Sequence, residues 1–229
     1  MDFPRFVAML EYGGLFFSKS EKMEDGLEGA LSRPTRKNLE RLHAELRRWG
    51  VDRNFSGREI VQTLRRCISI SSWHANEHES AAMWKLYAAS EQAIAIRTSY
   101  RQLHLALSSS KSIALVAPVR YISYQNDNVL FDSIYAPFLY KERSFEFENE
   151  CRGLIADMEI LKSRNPAAAA TMGEGAWVKV DLEALVNGIF IAPDAERWYC
   201  DLVKRVSKHY GLIKPVEQSR LAVHRRRKI

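Results

Sequence analysis

Polar and apolar positions alternate with two different periods in residues 67–97, CISISSWHANEHESAAMWKLYAASEQAIAIR. Ile68 and Ile70 fall on one side of an extended segment, with Ser69 and Ser71 on the other, so residues 67–73 read as a strand. Ser80, Met83, Trp84 and Tyr87 follow at i, i+3, i+4 and i+7, one stripe of a helix that this spacing buries against a sheet. Residues 92–97 are short, apolar and β-branched, as a buried strand should be. The connection, residues 73–80, is too polar for a core and is rich in His and Glu, a composition suited to binding chemistry on a rigid frame.

The remaining chain interleaves further helices and strands. Phe6, Met9 and Leu10 give a first helix over residues 3–11, stopped at Gly13 and Gly14, and residues 15–18 form a strand. Gly26 and Gly29 argue against a helix around residues 20–28. Pro34 opens a helix with the stripe Leu39, Leu42, Leu46 and Trp49, and Ser56 with Glu59 makes a capping box for the next. Ser99 and Gln102 make another. Residues 113–124 are extended, with Pro118 at an edge or bulge. Residues 129–140 read as helical up to Pro137, and residues 145–156 as one strand. Residues 162–175 read as a surface loop. Strands follow at 177–182 and 188–192. Asp194 caps a last helix burying Trp198, Leu202, Val203, Val206 and Tyr210, and residues 215–222 are extended. The strand spacing is too irregular for a doubly wound repeat. It predicts a single mixed-sheet α+β domain over residues 1–222, with residues 223–229 a basic, disordered tail.

Composition narrows the class. The 229 residues, 46% hydrophobic and 27% charged, are those of an ordinary globular chain. No run approaches the roughly 20 apolar residues that span a bilayer. An acid and a proline stand where a signal peptide carries its basic region, so a cytoplasmic, non-membrane protein is expected. Cys67, Cys151 and Cys200 lack any metal-binding spacing and read as buried thiols. The net charge of +6 is concentrated. Arg33, Arg36, Lys37, Arg41, Arg47 and Arg48 face only Glu40 and Glu45 in the helix they share, and Arg225, Arg226, Arg227 and Lys228 close the chain. Such clusters bind nucleic acid or another polyanion, or form a solvated face.

Two constellations bear on chemistry. On a strand, Glu146, Glu148, Glu150 and Arg152 share one face, about 7 Å from one to the next. Their mutual repulsion raises at least one carboxyl pKa, and Arg152 offsets it at one end. The row suits a cation, sugar hydroxyls or an oxocarbenium ion, and equally an edge strand kept apart from others by charge. His74-Ala-Asn-Glu-His78 matches the HxxEH pattern of inverted zinc peptidases, with Glu148 or Glu150 as a distant third ligand. Asn76 and Glu79 read instead as helix-capping residues, placing His74 before the helix and His78 in its first turn, against the one-face arrangement that zinc needs.

Several motifs together resemble a known family. LEYGGLFFS (residues 10–18), Asp25 with Glu28, ESAAMWKLY (79–87), AIAIR (93–97) and the series Lys141, Phe145, Glu148, Glu150, Arg152 occur in the order of the bacterial domain-of-unknown-function family 2971 (DUF2971). The resemblance covers essentially the whole chain. Members usually begin with a strand carrying an Arg-Tyr pair, which has no counterpart before the first helix here. The element order is similar to that of ADP-ribosyltransferases. That resemblance implies NAD as cofactor, Ser18, Tyr87 and Arg152 as its contacts, Glu150 as the catalytic carboxylate and Glu148 as its assistant.

Overall fold

A computed structural model describes residues 1–23, 25–48, 57–88, 91–109, 114–158 and 174–221. It is α+β. The helices are α1 (Phe3–Tyr12), α2 (Arg33–Arg48), α3 (Gly57–Cys67), α4 (Ala81–Tyr87), α5 (Tyr100–Ser108), α6 (Leu182–Leu185) and α7 (Arg197–His209). The strands are β1 (Gly14–Lys19), β2 (Ile68–His74), β3 (Ile94–Arg97), β4 (Ala114–Pro118), β5 (Arg120–Ile122), β6 (Tyr140–Glu142), β7 (Glu150–Ala156), β8 (Gly175–Lys179), β9 (Gly188–Ile191) and β10 (Val216–Gln218). They form sheets of order β4-β7-β2-β1-β8, β10-β9-β3 and β5-β6. Contacts group the chain into two compact units, Met1–Phe16 with Asn76–Lys111 and Trp177–Ile229, and Phe17–Ala75 with Ser112–Ala176.

In the first unit, α1 ends where Gly13 takes a left-handed conformation (φ 57°), which glycine adopts without a Cβ penalty. The Ser99 hydroxyl caps α5 by accepting the Gln102 N–H, and Leu103 and Leu107 face inward. The last helix differs from its predicted form. α7 begins at Arg197, after an N-cap Glu196 that makes no side-chain cap bond, so Asp194 lies outside it. Tyr199, Val203 and Ser207 are its buried residues, while Trp198 and Tyr210 are exposed.

α4 corrects the reading of residues 67–97. Its N-cap is Ser80, whose hydroxyl accepts the Met83 N–H at 3.3 Å, while Asn76 accepts the His78 N–H in a local turn ahead of the helix. None of its seven residues is buried; Met83 and Trp84 are half-buried, and Tyr87 is 56% exposed. Trp84 donates its indole N–H to Glu79 (3.1 Å) instead of entering a core. The two strands flanking α4 also belong to different sheets, β2 beside β7 and β3 beside β9.

The second unit holds the apolar core of Leu64, Ile68, Ile70, Phe138 and Leu154. β7 is its central strand, buried along almost its whole length between β2 and β4. Pro118 sits on β4, an edge strand, where its missing N–H is tolerated. α2 is held loosely. Thr35 is buried, Leu39 and Leu46 are half-buried, and Leu42 is 49% exposed, so the predicted stripe is only partly covered. Trp49 and Ser56, and with them the second predicted capping box, lie outside the described residues, as do residues 222–229. Residues 129–140 are not an α-helix; their one helical piece is a 3-10 turn, Ala136–Leu139, which contains Pro137.

Candidate functional site

The late acidic segment is not one continuous strand. Arg143–Glu148 is a 3-10 helix, capped by Asn149 in a left-handed conformation (φ 39°), and β7 starts only at Glu150. Asparagine is among the few non-glycine residues that take this conformation readily. The Asn149 amide donates to the Ala75 carbonyl, and the Ala75 N–H donates to the Asn149 carbonyl (2.8 Å). This turn leaves Glu146 exposed and turns Glu148 inward. Only Glu150 and Arg152 share the strand face that the sequence assigns to all four residues.

That face is internal. Arg152 is fully buried and uses all five guanidinium N–H donors within the chain. Nε donates to Glu150 Oε1 (3.0 Å) and Nη2 to Glu150 Oε2 (3.0 Å). Nη1 and Nη2 donate to Glu28 Oε1 (2.6 Å) and Oε2 (2.9 Å), and Nη1 also to the Phe138 carbonyl (2.7 Å). Glu28 reaches this position through a tight loop that Gly29 completes at φ 68°. Lys141, on β6, donates to Glu148 and to Glu150 Oε2 (3.4 Å), and its ammonium lies 4.7 Å from the Phe145 ring centre. The Tyr121 hydroxyl accepts the Glu150 N–H (2.7 Å), and His74 Nδ1–H donates to the Glu148 carbonyl.

Electrostatics follow from this packing. Burial opposes the charge of Glu150, but Arg152, Ser72 and Lys141 together hold its carboxyl below the usual range. Burial likewise opposes the charge on Lys141, yet Glu148 and Glu150 hold its ammonium above its ordinary value. Burial pushes Glu28 up despite Arg152 beside it. Burial also pushes the Cys67 thiol up to about 11, consistent with an inert core thiol.

The predicted site residues are only partly brought together. Glu148, Glu150 and Arg152 meet in one network. Ser18 pairs across β1 and β2 with Ile70, which pairs with Leu154 on β7. It therefore shares the sheet face of Glu150 but lies level with the apolar core, four residues or roughly 13 Å along the strand. Tyr87 belongs to the other compact unit. His74 is held on the Glu148 backbone, His78 is exposed, and among the described residues no group of three or more His, Cys, Asp and Glu could hold a metal ion. Glu28, Lys141 and Tyr121 are the members that the strand reading left out. For Glu28 and Lys141 the signal was their place in the resemblance, with no partner assigned; no motif singled out Tyr121.

A second feature of the same unit is open to solvent. Arg33, Arg36, Lys37, Arg41 and Arg48 on α2 are all exposed. At about 100° per residue they fall in the half of the helix away from Thr35, which is buried. Among the described residues no ion pair includes Arg36, Lys37 or Arg41.

Fold and site together define an α+β protein with a buried charge network and an exposed basic helix. No described helix is long and apolar enough to cross a membrane. No protein-family model, curated protein or solved structure matches the chain.

Proposed function

We propose that this protein is a nucleic-acid-binding module that uses the outward face of α2. The observation that carries this reading is the set of unpaired, exposed cations on one arc of a helix whose opposite side is anchored by Thr35. Arg36 and Lys37 on one turn and Arg41 on the next, about 6 Å further along the axis, offer three donors to a phosphate backbone. The rival reading, NAD-using ADP-ribosyl transfer at Glu150, needs a carboxylate free to meet a developing cation. Both Glu150 oxygens are engaged by Arg152, and Lys141 adds to one of them.

Fluorescence anisotropy with labelled oligonucleotides over a salt series tests the proposal. Affinity should fall steeply with salt. Arg36→Ala, Lys37→Ala and Arg41→Ala combined should flatten the log–log slope by about 2–3, at ~0.7–0.9 per phosphate contact. An unchanged slope and affinity in the triple variant would refute it. Loss of binding only when Arg225, Arg226, Arg227 and Lys228 are replaced would move the contact to the tail.

A further inference from the structure

We infer that the other compact unit carries a second nucleic-acid contact, one for single strands: the outward face of α7, with Trp198 as a stacking surface for a base. Its residues are distinct from those of α2. Arg197, Lys204, Arg205 and Lys208 are all exposed. At about 100° per residue they fall within roughly a third of the helix circumference, away from the buried Tyr199, Val203 and Ser207. Asp201, on the same arc, is the one acid of α7. Among the described residues no ion pair includes Arg197, Lys204, Arg205 or Lys208. From Arg197 to Lys208 the row runs about 16 Å along the helix axis.

Trp198 stands at the margin of this arc and is 52% exposed. Its ring is held in place. The indole N–H donates to Glu196, and the ring meets that of Tyr199 edge to face, with centroids 5.8 Å apart. Tyr199 is itself buried and donates its hydroxyl to the Gln92 carbonyl (2.6 Å). Trp198, Asp201, Leu202 and Arg205 line one open depression, which brings a cation and the ring to the same hollow. A fixed ring loses little freedom when a base stacks on it. Phosphates follow the cations, and Asp201 can accept from the amino group of a base. A duplex keeps its base faces within its own stack, whereas a single strand can lay one on an exposed ring. An anionic membrane fits less well, because Trp198 is the only large apolar side chain that α7 exposes, too little to enter the acyl boundary.

Fluorescence anisotropy on the whole chain, with a labelled single-stranded oligonucleotide and with the duplex of the same sequence, tests this contact. The single strand should bind more tightly at one salt concentration. Replacing Arg197, Lys204, Arg205 and Lys208 together by alanine should flatten the log–log salt slope by about 2–3, at ~0.7 per phosphate contact on a single strand. Trp198→Ala should weaken single-strand binding about ten-fold, as the loss of one base stack does, and leave the slope unchanged. Trp198→Tyr should retain most of the affinity. Circular dichroism of each variant confirms the fold. Equal or tighter duplex binding, a silent Trp198→Ala, an unchanged slope in the fourfold variant, or a preference for anionic phospholipid vesicles over both probes overturns the inference. The α2 proposal stands in that event if its own triple variant still loses binding. Loss of binding in the α7 variants alone upholds α7 and removes α2, and both fall if the wild type binds neither probe.

Discussion

Arg152 makes the late acidic segment a matter of stability. Its five donors are divided between two carboxylates and a carbonyl, with no contact to solvent. Removing one partner of a buried pair leaves the other charge uncompensated, at a penalty of about 3–5 kcal/mol. Glu150→Gln and Glu28→Gln should therefore each lower stability by several kcal/mol, measured by urea denaturation. A transferase makes the opposite forecast, in which Glu150→Gln keeps its melting temperature and loses NAD turnover. Melting and NAD consumption measured on the same protein decide between them, and an unaltered melting temperature would defeat the structural role argued here.

At the scale of elements, two tight conformations deliver the charged groups. Asn149 lets the 3-10 helix end so that Glu148 and Glu150 both point inward. Gly29 ends the loop that carries Glu28, and a Cβ there would run into the Phe138 ring, whose carbonyl also serves Arg152. Gly26 in the same loop has open space around it. Gly29→Ala should cost about 1–2 kcal/mol for the left-handed backbone alone, with displacement of Phe138 added. Gly26→Ala should be neutral, or stabilising by up to ~1 kcal/mol through the unfolded chain. Equal effects in thermal melts would show that the loop does not depend on Gly29.

For the molecule as a whole, the network makes stability depend on pH. The folded-state carboxyl of Glu150 lies below its ordinary value, so the unfolded chain binds this proton first as pH falls. Its contribution is full above about pH 4.3, the ordinary Glu value, and is lost as pH falls through the depressed folded value. Glu28, raised by burial, acts in the opposite sense, so the informative quantity is the difference between wild type and Glu150→Gln. That difference should be constant from neutral pH down to the ordinary value and shrink below it. A difference independent of pH throughout the acid range would contradict the depressed carboxyl.

Local pattern alone determined much of this protein. The helices α1, α3 and α5, the strands β1, β2 and β9, the α+β class and the concentration of charge on α2 follow from periodicity, capping residues and composition, which act over a few residues. Tertiary structure decided the rest. The stretch 67–97 divides between two compact units at Ala75 and Asn76, inside the polar connection 73–80, and the pattern did not show this as a division because each unit is assembled from separated segments. The spacing of Met83, Trp84 and Tyr87 describes a stripe, but a stripe is buried only where another surface meets it. The alternation of Glu146, Glu148 and Glu150 predicted one row on a single strand face, as a binding site or as a charged edge. Asn149 broke the strand, and Glu28, more than a hundred residues upstream of Arg152, arrived to close the network. A carboxylate reads as exposed until the chain supplies the cation that allows its burial, and only the fold brings that partner.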